Sequence, residues 1–153
     1  TAVQVTDLLV DIVSKNGNLL LNLPQRPDGT LDEECSFILD GITKWMSVNG
    51  EGIYDTRPYQ VSGEGVTSAE AEKETVWTPY DVRYTQKGNV VYAFLMGRPR
   101  TAALHCLRDA SSVKSVSLLG YGELAFSSDM GILTAALPEG YSPDGAWCLK
   151  ISF

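Results

Sequence analysis

The feature that most constrains this chain is the run Asn18-Leu19-Leu20-Leu21-Asn22-Leu23-Pro24, which is apolar and does not alternate. A strand with one wet face alternates apolar and polar residues; a strand buried on both faces does not, and burial on both faces marks a parallel sheet covered by helices. The run is too short for a core helix, so the pattern predicts a buried parallel strand over 18–23. Such a strand has two unpaired edges and cannot stand alone in water. Either the flanking helices fold over Leu19 to Leu23 or the strand pairs with another chain.

The flanks fit that reading. Val5, Leu8, Leu9 and Ile12 recur at i, i+3, i+4 and i+7, which predicts a helix over 2–15 with those four on its buried stripe. Asn16-Gly17 stops it. Residues 24–29 carry turn chemistry, and Thr30-Leu31-Asp32-Glu33 reads as a capping box, with the Thr30 hydroxyl accepting from the Glu33 amide. Asp32, Glu33 and Glu34 sit at the positive end of the following helix dipole. That helix places Cys35, Ile38, Ile42, Trp45 and Met46 on one stripe and ends at Asn49-Gly50. Helix, buried strand and capped helix with short connections spell a piece of an α/β barrel or doubly wound sheet.

The composition changes after Arg57-Pro58. Residues 59–74 are polar and acidic, with Glu64, Glu70, Glu72 and Glu74, and read as an exposed connection with one edge strand. Strands are then expected over 80–85, 89–96, 101–107, 113–119, 123–127, 132–137 and 146–153. The turn signals between them include Lys87-Gly88, Gly97-Arg98-Pro99, Gly120-Tyr121-Gly122 and Pro143-Asp144-Gly145. Short strands at this spacing, with no helix among them, indicate an antiparallel sandwich. The expected fold is therefore an α+β chain: an α/β barrel remnant over 1–58, an acidic linker or edge segment over 59–79, and an antiparallel β-sandwich over 80–153.

Charge and composition narrow the function classes. A net charge of −7 with 12 scattered Lys and Arg argues against nucleic acid and against an anionic membrane surface. No apolar run approaches the ~20 residues of a membrane span. Cys35, Cys106 and Cys148 are odd in number and far apart, so they read as small hydrophobes rather than a disulfide framework or a zinc site. No metal or cofactor is implied, and a homo-oligomer is left open. The chain opens with Thr1, which fits a processed or truncated product whose secretion signal, if any, lies upstream.

Acid/base catalysis by carboxylates needs two carboxyl groups with separated pKa values, for which the acidic pairs Asp32/Glu33 and Glu70/Glu72 are the candidates. The first reads as helix capping and the second as solvated linker. His105 alternates with Leu104 and Cys106, which turns it to water. Trp77, Tyr80, Tyr84, Tyr92, Tyr121 and Trp147 could stack on sugar rings if exposed. Most read as packing, since Tyr92 and Phe94 share one strand face, as do Trp147 and Leu149.

The VSKNGNLLLN stretch over 13–22, the DGT turn over 28–30, Trp45 and the NGExIYxTRP exit over 49–58 together resemble glycoside hydrolase family 29, the α-L-fucosidases. The stretches GNVVYAFL over 88–95 and VKSVSLLGYG over 113–122 are similar to that family's C-terminal sandwich. The resemblance implies that 18–23 is the last barrel strand between the seventh and eighth barrel helices. It implies a retaining enzyme acting on terminal α-L-fucosyl linkages of fucosylated glycans, in a secreted, periplasmic or lysosomal setting. The family's two carboxylates and fucose-binding histidines lie upstream of this stretch, so no catalytic residue is assigned here and the segment alone is expected to be inactive. Because barrel sites sit at the C-terminal strand ends, Asn22 is the one candidate substrate contact, with the loop 24–29 beside it. The alternative is a carbohydrate-binding or scaffold module formed by the sandwich itself.

Overall fold

The computed structural model describes residues 1–69, 75–141 and 144–153, so the expectations resting on Glu70, Glu72, Glu74 and Pro143 lie outside the described residues. Helix α1 (Ala2–Ser14) starts in a capping box that sequence reading overlooked: the Thr1 hydroxyl accepts from the Gln4 amide while the Gln4 side chain accepts from the Thr1 nitrogen. Its buried residues are Thr6, Asp7, Val10, Asp11 and Ser14. The expected stripe of Val5, Leu8, Leu9 and Ile12 is only half-buried. The helix turns its more polar face inward because that face finds donors there for both carboxylates, as described below.

Helix α2 (Glu33–Asn49) is capped by Asp32, whose carboxylate accepts from the Cys35 amide at 2.7 Å. The capping box expected on Thr30 does not form, because Thr30 is held by Asp28, to which it donates through its amide and its hydroxyl. Only Cys35, Trp45 and Asn49 are buried on α2; Ile38, Ile42 and Met46 are half-buried and Phe37 is 78% exposed.

Residues 18–23 form no strand, which corrects the sequence expectation. A parallel strand is held by its neighbours, and among the described residues no strand is presented to this run. The two helices pack against each other and the sheet instead of folding over it, leaving Leu20 92% exposed and Leu21 exposed beside it.

The remainder is an antiparallel sandwich, as the turn spacing predicts. In chain order the strands are β1 (Arg57–Glu64), β2 (Val82–Lys87), β3 (Val90–Leu95), β4 (Thr101–Leu104), β5 (Ser115–Leu118), β6 (Gly122–Glu123), β7 (Phe126–Asp129), β8 (Ile132–Ala136) and β9 (Trp147–Ser152). One sheet has the order β1-β2-β3-β9-β5-β6 and the other β4-β8-β7. β1 lies at the edge, and its register with β2 breaks between Pro58 and Gly63; an edge tolerates both proline and a bulge. The single strand expected over 123–127 is in fact β6 and β7, which belong to different sheets. The Leu124 amide still donates to the Val116 carbonyl, after which the chain crosses over.

The six-stranded sheet is a middle layer. Tyr84, Val91, Ala93, Leu95, Leu149 and Ile151 face Leu104, Leu133 and Ala135 of the small sheet in one core. Tyr92, Phe94, Met96 and Cys148 face the other way, against Val10 of α1 and Trp45 of α2. Trp45 stacks on Phe94 with ring centroids 6.1 Å apart.

Candidate functional site

Parts of the two helix-flanking motif stretches meet at one end of the helical pair. The start of the 18–23 run and the exit after α2 come together around a cavity of about 380 Å³ lined by Leu9, Val13, Asn18, Leu19, Tyr54 and Arg57, among others. The two separated parts of the motif, VSKNGN and IYxTRP, are thus neighbours in space. Asn22 does not line this cavity; it lies exposed farther along the run. The loop beyond it is closed by hydrogen bonds from the Arg26 amide to the Thr30 carbonyl and from the Gly29 amide to the Arg26 carbonyl.

The exit itself is tied to the sheet. The Thr85 hydroxyl donates to the Gly52 carbonyl at 2.7 Å, and a Cβ on Gly52 would come within 2.8 Å of the Phe94 ring, so only glycine allows this approach. Glu51 pairs with Lys150 and accepts from the Tyr92 hydroxyl at 2.7 Å. Those two donors hold its carboxyl below the usual range, while burial, with Glu51 beside it, pushes the Tyr92 phenol up.

A second constellation joins α1 to the sheet and was not foreseen. Asp11 accepts from Arg83 Nε at 2.5 Å and from Lys15 Nζ at 2.7 Å. Arg83 also donates to the Thr67, Val82 and Glu64 carbonyls, and its guanidinium lies 5.2 Å from the Trp77 ring centroid. One turn earlier on α1, Asp7 accepts from the Ala146 amide at 3.1 Å, and Trp45 Nε1 donates to the Ala146 carbonyl at 3.1 Å. Burial pushes the Asp7 carboxyl up to about 6, against the opposing pull of the Ala146 amide, Arg98 and Trp77. Nearby, burial also acts to raise Asp81, but the amides and hydroxyls of Thr78 and Thr67 donate to it and bring its carboxyl below the usual range.

Chemically this is a joint, not an acid/base pair, since Asp7 and Asp11 are each committed to a structural donor. Glu64 is likewise a clamp: it accepts from the His105 and Cys106 amides at 2.8 Å each and from the Tyr84 hydroxyl. His105 itself is exposed, as its alternation implies. Asp32 acts as a helix cap, and Glu33 beside it is exposed. Among the described residues no group of three His, Cys, Asp or Glu is placed to hold a metal. The signal that could have revealed the joint was Arg83, a lone cation between Val82 and Tyr84 in a buried strand, together with Asp7 and Asp11 at i, i+4 on one helix face.

Comparison with known proteins agrees with this geometry. Residues 1–51 match the family model described as alpha-L-fucosidase, and residues 73–152 match that of the alpha-L-fucosidase C-terminal domain. The tissue alpha-L-fucosidase of Bos taurus is 34% identical over 94% of this chain and 30% of its own length. That of Homo sapiens is 31% identical over 97% of this chain and 31% of its own. A crystal structure of Thermotoga maritima alpha-fucosidase in complex with a mechanism based inhibitor superimposes with a TM-score of 0.77 and 26% identity, covering 100% of this chain and 34% of that one. The chain spans about a third of the length of the relatives it matches.

Proposed function

The chain belongs to the α-L-fucosidase family, and from that premise we propose that it is the C-terminal structural segment of an enzyme that hydrolyses terminal α-L-fucosyl linkages of glycans. In this reading residues 1–58 close a catalytic barrel, 59–79 connect, and 80–153 form a sandwich bracing the barrel from outside. The observation that carries it is the order of the two family matches along one chain, joined by the buried Asp11–Arg83 pair. The exposed Leu20 and Leu21 support it too, because a run so apolar is stable only when neighbouring strands and helices cover it. Asn22 then sits at the C-terminal end of the last barrel strand, where a barrel places its substrate groups. Fucosylated glycans are the substrates of the whole enzyme, in an extracytoplasmic compartment. No helix among the described residues is long and apolar enough to cross a membrane.

The test is hydrolysis of an aryl α-L-fucoside by the 153-residue chain and by an intact family enzyme carrying it. The isolated chain gives no turnover and the intact enzyme does; removing residues 59–153 from the intact enzyme lowers its thermal midpoint and its activity together. Turnover by the isolated chain would overturn the assignment.

A further inference from the structure

Both helices are fastened to the sandwich through one of its residues, Ala146, which is fully buried just before β9. Its amide donates to the Asp7 carboxylate of α1 at 3.1 Å, and its carbonyl accepts from Trp45 Nε1 of α2 at 3.1 Å. The fit around this anchor leaves no slack. A Cβ on the preceding Gly145 would lie 2.9 Å from Thr6 Oγ1 of α1 and 3.0 Å from the Trp45 indole, and Thr6 and Trp45 are themselves buried. Movement of α1 away from the sheet therefore separates the Asp7 carboxylate from the Ala146 amide.

Asp7 differs from the other acids of the joint in what balances it. It is 8% exposed, yet among the described residues it forms no ion pair. One turn on, Asp11 is neutralised by Arg83 of β2 and by Lys15. Glu64 of β1 is engaged by Tyr84 and by the His105 and Cys106 amides. The charged residues of α2, Glu33, Glu34, Asp40 and Lys44, are exposed, as is Asp144 ahead of Gly145. What acts on Asp7 besides the Ala146 amide is Arg98, in the turn after β3 and short of ion-pair contact, and the Trp77 indole. Burial outweighs these pulls and sets the Asp7 carboxyl at about 6. The neutral acid still offers its carbonyl oxygen to the Ala146 amide, whereas the ionised form gains from water that the closed joint excludes.

We propose that Asp7 is a proton-operated latch on this joint: with its proton it holds α1 to Ala146, and without it the helix lifts locally so that water reaches the carboxylate while the sandwich stays folded. Local openings of this kind lie below global unfolding in free energy when few contacts hold an element down. Freed into water the carboxyl titrates near 3.9, whereas in the closed joint it titrates at about 6. Opening is therefore rarest below about pH 4, grows between about pH 4 and 6, and levels off above that. The latch belongs to this chain by itself and depends on nothing in the catalytic reading.

The test is hydrogen exchange of the 153-residue chain at pH 5 and pH 7, with each rate divided by that of an unstructured chain at the same pH. It is followed at the Ala146 amide, the Trp45 indole N–H and the amides of β3, the strand between β2 and β9. The Ala146 and Trp45 protons are expected to be less protected than those of β3, and to lose about tenfold in protection from pH 5 to pH 7, the ratio the two titration points imply. Asp7→Asn, which keeps the acceptor without the charge, is expected to abolish that loss. The Asp7 carboxyl carbon resonance of the parent gives a reading that needs no variant: it is expected to titrate at about 6, together with the Ala146 amide proton. Ala146 exchanging as slowly as β3 would overturn the latch, because the joint would then open only with the whole fold. A carboxyl titrating at about 4, protection unchanged between the two pH values, or the same loss in Asp7→Asn would overturn it equally.

Discussion

Asp11 and Arg83 lie 72 residues apart in the chain and meet at 2.5 Å, with their side chains only 4% and 5% exposed. One member stands on the helix that opens the chain and the other on the second strand of the sandwich, so this contact crosses the boundary between the two architectural parts.

Removing one partner of a buried ion pair leaves the other charged and desolvated. Asp11→Ala is therefore expected to destabilise the chain by roughly 3–5 kcal/mol. Replacing Arg83 by Met in the same molecule should restore much of that loss, because no charge then remains buried. Urea midpoints of the parent, single and double variants check this. Additive losses in the double variant would show that the two side chains do not act as a pair.

Asp7 makes stability fall as pH rises. Its carboxyl titrates near 3.9 in an unfolded chain and about 6 in the fold, so the folded state binds the proton more tightly. The stabilisation is fully present below about pH 4 and is lost progressively up to about pH 6, on the order of 3 kcal/mol in all. Asp7→Asn keeps an acceptor for the Ala146 amide without the charge. It should raise the thermal midpoint at pH 7 and flatten the curve between pH 4 and 6; parallel curves for variant and parent would refute the assignment.

Glycines at the same backbone angle should respond differently to a methyl group. Gly29 and Gly145 both have φ +83°, but a Cβ on Gly29 meets nothing within 4 Å, whereas one on Gly145 would lie 2.9–3.0 Å from Thr6 Oγ1 and the Trp45 indole. Gly29→Ala should cost about 1 kcal/mol, the left-handed penalty alone. Gly145→Ala should cost about 2 kcal/mol or more, since the Trp45 contact to Ala146 must also shift. Chemical denaturation of the two variants side by side separates the contributions.

Leu20→Glu tests the exposed run. At 92% exposure its replacement should change the stability of this chain by no more than about 0.5 kcal/mol. The same substitution in an intact family enzyme should abolish both expression as a folded protein and aryl-fucoside hydrolysis. A clear drop in the thermal midpoint of the isolated chain would mean that the run is already covered here.

Reading the sequence succeeded where local chemistry decides the outcome. Lys87-Gly88 and Gly120-Tyr121-Gly122 mark turns because few residues other than glycine accept the backbone there, and β4 and β5 between them alternate as a strand with one covered face requires. It failed where the partner decides. Val5, Leu8, Leu9 and Ile12 look like a buried stripe, yet α1 turns Asp7 and Asp11 inward because Arg83 and the Ala146 amide wait there. No spacing within the helix encodes donors 72 and 139 residues away. Residues 18–23 have the composition of a buried strand, but composition does not supply the ladder partner. Thr30 lost its cap to Asp32 through a neighbouring side chain, Asp28, that binds it first.

The two-sided burial of β3 has a consequence for how such chains can be cut and recombined. With Tyr92, Phe94, Met96 and Cys148 sealed by the helices, a sandwich severed just after Pro58 would turn a sticky aromatic flank to water and tend to clump. The sandwich and the helices beside it should therefore be inherited, shuffled and expressed as one unit, with no viable junction at the visible change in composition.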